Sequence, residues 1–437
     1  MKRTISIILM LVLVATLLPA CAQTTPAATT KAGTTAVGTT AVGTTAAATT
    51  AGPVKKVQLT WWHYFVDASY TAYASLVKEY NALGTAKATI VEQYIPRNDL
   101  LKQLTLGVVS NELPDLAMVD NPDSCSFEAM GLFVDITDKF NAWSDNKFQA
   151  GPLSSGAYKG KQYTLPMRSN SLALWTNDAM FKTAGITKMP TTWAELDATC
   201  ATLLAKTPSV YPLVFSAIKS ENGTFQFLPF LQSAGGDVNN LGSAEGIKAL
   251  TYITSLAKNK YVSAECINWA QADVEKQFAA GNAAMMVNGP WQIPQMKIDA
   301  PNLKYTVTAL PMDKKYSTSL GGENVGITKS CKNVDIAWEF TTWFLSTPNN
   351  IKFNIAGGTV SPHSNATPEQ QYPNDPVWKV FIESLSYAVT RGPHPKWPEL
   401  SAAIQEAIQQ SITGAKTPTA AATDAAAKIK VINDSLK

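Results

Sequence analysis

Between Lys55 and Val119 the spacing of apolar residues switches repeatedly between two periods. Lys55 to Trp62 alternates and is rich in strand formers, which predicts a strand with His63, Tyr64 and Phe65 at its carboxyl end. Tyr73, Leu76, Val77 and Tyr80 then fall three and four apart, which predicts a helix over 70–83 ending near Gly84. A second strand over 88–95 and a second helix over 98–109 follow. Residues 114–119, Pro-Asp-Leu-Ala-Met-Val, form the short apolar run of a parallel strand covered on both faces, with Asp120 and Asn121 at its carboxyl end. Strand, helix, strand, helix, strand is the order of βαβ units, and it predicts an α/β fold.

Further along, residues 213–215 read as a strand, 225–233 as an aromatic-rich helix closed by Gly235-Gly236, and 244–256 as another helix. A helix bearing Val274 and Phe278 runs up to Gly281, and the apolar strand 283–287 follows. Asn288-Gly289-Pro290 breaks that strand, because Gly and Pro supply a turn and stop the ladder. Trp291 is thereby expected on a loop at a strand exit, where open α/β sheets bind ligands; core packing is the alternative for so large a ring. Residues 305–310 alternate as a strand. The helix over 335–345 carries Trp338, Phe340, Trp343 and Phe344 at helical spacing, so these aromatics are expected in the core. Residues 391–398 read as a rigid, aromatic and basic loop before a helix over 399–412, and an Ala-rich stretch over 420–436 closes the chain.

The length of 437 residues exceeds what one hydrophobic core fills, so two lobes are expected. The net charge of +3 includes Lys2 and Arg3 in a segment expected to be cleaved, and the nearly neutral remainder argues against nucleic acid as a partner. Residues 1–20 have the basic start and short apolar run of a secretory signal. They end Leu-Pro-Ala-Cys, which resembles a bacterial lipobox with Cys21 as the lipid-modified first residue, although Pro19 is unusual in that pattern. Residues 24–52 are almost entirely Thr, Ala and Gly; with too little apolar bulk to offset ordering, 21–54 is expected to be an anchored, disordered stalk. Cys125, Cys200, Cys266 and Cys331 lie too far apart for a metal knuckle or a C-x-x-C pair, and either two disulfides or buried thiols fit them. The three histidines (His63, His363, His394) show no metal spacing, and no nucleophile elbow or phosphate loop is present. No metal or cofactor is expected.

A series of local patterns then resembles one family, in order. The first strand ends in Trp61-Trp62-His63-Tyr64 and is followed by P-D-L-A-M-V-D and by G-L-F-V-D-I-T-D over 131–138. Residues 158–166, Y-K-G-K-Q-Y-T-L-P, and 174–181, L-W-T-N-D-A-M-F, come next, and then P-T-T-W-A-E-L over 190–196, where Thr192 is a helix cap with Glu195 three residues on. Gly289-Pro290-Trp291, Gly321-Gly322-Glu323-Asn324 and G-G-T-V-S-P over 357–362 complete the set. From about Val57 to near the C-terminus the chain resembles the extracellular solute-binding proteins of ABC importers, of the sugar-binding kind that includes maltose-binding protein. The resemblance implies a two-lobed periplasmic-binding-protein-like fold, each lobe a βαβ sheet flanked by helices, joined by three hinge crossings. The first lobe would hold 55–168 and 310–360, the second 169–309 and 361–437. It also implies a monomeric receptor, lipid-anchored outside the cytoplasm, that hands its ligand to permease subunits driven by a cytoplasmic ATPase. The tryptophan of G-P-W would form part of a sugar platform, and 321–324 would be a glycine-rich loop facing the cleft.

Sugars present a weakly apolar ring face and a girdle of hydroxyls, which flat aromatics and planar polar groups answer. The loops supply His63, Tyr64, Asp120, Asn121, Asn170, Phe225, Trp291, Glu323, Asn324, Arg391 and Trp397 as candidates. Trp291 is the expected stacking ring and Asp120 the expected bidentate acceptor, unless Asp120 serves as a helix N-cap. An oligosaccharide or glycoside is expected in the cleft, with no chemistry performed on it. Polyamine, iron or phosphate in the same fold is the alternative, and a surface-anchored glycoside hydrolase using Asp120 and Glu323 a more remote one.

Overall fold

The computed structural model describes residues 55–437. The signal segment, Cys21 and the Thr-rich stretch lie outside the described residues. The first sheet takes its strands in the order 88–94, 57–63, 116–120, 323–327 and 164–166. The first three run parallel, whereas Glu323–Ile327 is antiparallel to both its neighbours. Every residue of Leu116–Asp120 is buried, as its unbroken apolar run requires. The helix Asp67–Ala82 buries Tyr73, Leu76, Val77 and Tyr80 against this sheet. On the same core sit Val334–Phe344 and Thr347–Gly357, with Phe340, Phe344 and Phe353 inside and Trp338 and Trp343 half-buried over them.

The second sheet orders its strands 305–308, 173–177, 283–288 and 211–214. Only the last pair is parallel, because the chain returns here from the first lobe instead of winding through βαβ units throughout. One face packs on helices 193–206, 221–233, 244–258, 397–412 and 418–434; the other covers Trp175, Phe278 and Phe381. The chain passes between the sheets three times: from 164–166 to 173–177, from 305–308 back to 323–327, and from helix 347–357 to helix 376–384. These passages are bonded to one another through Ser169 with Val360, Asn170 with Gly321, and a short parallel pair of Thr318–Leu320 with Ala388–Thr390.

Three expectations change. Trp291 is not on an open loop but in a 3-10 turn, Pro290–Gln292, that opens the helix Ile293–Asp299. Glu323 and Asn324 begin a strand, and only Gly321-Gly322 remain irregular. The helix expected from Glu399 starts at Trp397, with Pro398 in its first turn. All four cysteines among the described residues are free and buried, Cys125 and Cys331 in the first lobe, Cys200 and Cys266 in the second. Among the described residues no helix is long and apolar enough to cross a membrane.

Candidate functional site

Strand register builds the first-lobe side of the site. Glu323 lies directly opposite Asp120 in the antiparallel ladder, so two carboxylates emerge together at the strand ends. Like charges placed side by side need cations, and two arginines supply them. Arg168, in the first passage between the lobes, grips Glu323 with two nitrogens, Nη2 donating to Oε1 at 2.7 Å and Nε to Oε2, while Nη1 donates to Ser69 Oγ at 2.8 Å. Its guanidinium lies 4.9 Å from the centre of the Phe65 ring. Arg97 donates from Nη2 to Asp123 at 2.6 Å and to Asp120 at 3.2 Å. Asp120 does occupy the N-cap position of helix Asn121–Ala129, but its carboxylate caps nothing and is given to arginine instead.

The second-lobe side is built on the helix Glu221–Ser233 and the turn at Trp291. The helix starts four residues earlier than its apolar pattern suggests, which brings Glu221 and Asn222 to the site ahead of Phe225. The Phe225 and Trp291 rings lie 6.2 Å apart at 45°. A Cβ on Gly289 would fall 1.9 Å from the Trp291 ring, so only glycine leaves room for the indole at that place. Gln271, Gln292 and Gln295 edge the same face.

Arg391 joins the two sides. From the segment entering the last helices, its Nη1 donates to Asp120 Oδ2 at 2.9 Å and to Glu221 Oε1 at 2.8 Å. Its Nη2 donates to Asn121 Oδ1 at 2.9 Å and to Asp120 Oδ1. The Phe225 ring lies 4.6 Å from its guanidinium carbon. Glu221 also accepts the Trp397 indole N–H at 3.2 Å and the Ser401 hydroxyl at 2.5 Å. The facing sides enclose a cavity of about 300 Å³. Three polar atoms at it, Tyr64 Oη, Gln271 Nε2 and Arg391 Nε, are buried without a partner. Burial raises the Tyr64 hydroxyl well above the ordinary tyrosine range, assisted by the charges of Glu323 and Asp120. Burial also holds Asp123 above the ordinary carboxylate range against the pull of Arg97, and Asp120 and Glu221 push the same way.

Of the residues expected from sequence, Tyr64, Asp120, Asn170, Phe225, Trp291, Glu323 and Arg391 line the cavity. Four do not. His63 points to the other side of its strand end, stacked on Tyr70 and facing a separate hollow. Asn121 is behind the wall, holding Arg391. Asn324 is turned into the first-lobe interior, where its amide donates to Ser124 and Ser155, both at 3.0 Å. Trp397 is wholly buried in the second-lobe core at the start of its helix. Sequence reasoning missed Arg97, Arg168, Glu221 and the three glutamines. Arg97 and Arg168, two residues past the expected strand 88–95 and past the segment 158–166, carried a usable signal; the others carried none. Among the described residues no cluster of three or more His, Cys, Asp or Glu could hold a metal.

Residues 75–379 match the family described as bacterial extracellular solute-binding protein. The chain belongs to that family. Relatives with curated names include a putative binding protein of Brucella abortus, 25% identical over 352 residues covering 79% of this chain and 85% of the relative. A maltotriose-binding protein of Pyrococcus abyssi is 25% identical over 81% of this chain and 77% of its own. A maltooligosaccharide ABC transporter solute-binding lipoprotein of Streptococcus pneumoniae is 23% identical over 84% and 87%. Among solved structures of solute-binding proteins, one from Thermotoga lettingae bound with α-D-tagatose superposes with a TM-score of 0.80 at 26% identity, covering 86% of this chain and all of that one. The two-lobed fold of this family is therefore the fold of this chain.

Proposed function

We propose that this solute-binding protein captures a carbohydrate between its lobes and presents it, enclosed, to the permease of an ABC importer. The observation that carries the reading is the pairing of surfaces at one cavity: the Phe225 and Trp291 rings on one side, and the strand ends of Asp120 and Glu323 with their arginines on the other. A ring face can lie on the aromatics while hydroxyls meet charged planar groups. Tyr64 Oη and Arg391 Nε, which lack partners, are the groups such hydroxyls would satisfy. The maltotriose- and maltooligosaccharide-binding relatives support the same ligand class.

In this reading the chain performs no chemistry on its ligand. The lobes are divided at 168/169, 309/310 and 360/361, and closure is driven by the ligand's preference for the closed form. Cys21 would carry the lipid anchor, with the chain working as a monomer beside permease subunits and a cytoplasmic ATPase. A thermal-shift screen of sugars, polyamines and metal ions tests the ligand class. Stabilisation by a sugar or glycoside is expected; a shift with spermidine or iron and with no sugar would refute it.

A further inference from the structure

We propose that a second sugar subsite lies beside the cleft, in the hollow walled by His63, Tyr70, Glu92 and Tyr94, and that it takes a further ring of the same ligand. The inference rests on the reading of the cleft as a carbohydrate site and adds to it the ligand's minimum length.

The hollow and the interlobe cavity share Phe65, Val66 and Asp67 among their lining residues, so the two adjoin at one short stretch of chain. It is open and measures about 480 Å³, within the ~300–1,000 Å³ of small-molecule sites. Tyr94, at the end of strand Ala88–Tyr94, is 51% exposed, and Tyr70, in the first turn of helix Asp67–Ala82, is 40% exposed. Both rings are held in place. Tyr70 stacks on His63 with the centroids 5.8 Å apart and the planes at 14°, and its hydroxyl donates to Glu92 Oε1 at 3.0 Å. Tyr94 meets the same imidazole edge-on at 6.1 Å.

The polar groups at the base are incomplete in a complementary way. His63 is completely buried, and its Nδ1 accepts the Phe65 backbone N–H at 3.2 Å, which leaves the proton of the neutral ring on Nε2. That Nε2 has no partner. Across from it, Glu92 Oε2 is also without one, 3.8 Å away. The separation is too long for a hydrogen bond between the two. A hydroxyl oxygen set about 2.8 Å from each would accept from Nε2–H and donate to the carboxylate. Buried polar atoms in folded proteins are nearly always satisfied, so a donor and an acceptor left facing each other mark the place of a missing group. Beside two presented tyrosine rings, a sugar hydroxyl is the group that also accounts for the rings.

Calorimetry on the full chain with glucose, maltose and maltotriose, and in parallel with mannose, mannobiose and mannotriose, tests this. Wild type should bind the longer members of one series at least tenfold more tightly than the monosaccharide. Tyr94→Ala should remove most of that gain while leaving monosaccharide affinity within twofold, and Glu92→Gln should remove a smaller part. Trp291→Ala should weaken every length alike. If sugars bind but Tyr94→Ala and Glu92→Gln match wild type at all lengths, the subsite is refuted and the cleft reading stands. If no sugar of either series binds wild type, the cleft reading falls and the subsite with it.

Discussion

On the first-lobe side of the cavity Arg97, Arg168, Asp120 and Glu323 hold one another in a fixed charged lattice. On the second-lobe side two aromatic rings are presented with three glutamines, of which Gln292 donates to the Gln271 carbonyl and Gln295 to Asp299 within that side, while Gln271 Nε2 has no partner. Arg391 belongs chemically to the first pattern and spatially to both, because it bridges Asp120 and Glu221 across the lobes. The contrast separates two tasks. A desolvated charged lattice is costly to assemble and tolerates no missing member, so it couples recognition to stability. An aromatic face contributes contact area without such dependence, so it can be altered with the fold left intact.

The sharpest way to break this contrast is Asp120→Ala. It strips Arg391 and Arg97 of a shared partner in a buried place, and a loss of about 3 kcal/mol in urea unfolding is expected together with loss of measurable ligand binding. Unchanged stability would mean that the lattice is dispensable. Trp291→Ala is the counterpart on the other side. At least a tenfold loss in affinity, about 1.4 kcal/mol, is expected by calorimetry with almost no change in unfolding; a large stability loss with affinity kept would make the indole a core residue. A smaller effect lies behind the charged wall. Burial pushes Glu128 up to about 8, and its Oε2 has no partner. Because the folded-state value is raised, native protein holds a proton that unfolded chain releases, and stability falls as pH rises from the ordinary glutamate value towards 8. Glu128→Gln should therefore gain on wild type steadily as the pH is raised from 5 to 8, read from paired thermal melts.

Much of the fold was legible in the sequence because it follows from periodicity: the helical residues Tyr73, Leu76, Val77 and Tyr80 are all buried as their spacing requires. The site was half legible, for a geometric reason. His63 and Tyr64, and Glu323 and Asn324, are adjacent pairs at strand ends, where consecutive side chains leave on opposite faces, while Asn121 opens a helix and stays beside Asp120 on Arg391, behind the wall. A loop inventory offers both members of each pair, whereas the backbone gives the cavity only one. Arg391 and Trp397 diverge for a similar reason, since a helix begins at Trp397 and turns that ring into the core. The arginine partnerships could not be read at all: Asp120 and Arg391 are 271 residues apart, and no local pattern announces a bond between them.

The four thiols give each lobe its own clock. Burial pushes Cys331 up to about 11 and Cys125 and Cys266 up to about 12, and it raises Cys200 as well, so in the native state none of them is an effective nucleophile. Modification by a thiol reagent then has to wait for the surrounding core to open. With two thiols in each lobe, the rates at which Cys125 and Cys331 are labelled, set against Cys200 and Cys266 by peptide mapping, report the breathing of the two halves separately. A saturating ligand that ties the lobes together should slow both pairs; slowing of one pair alone would show that the halves open independently even when bridged.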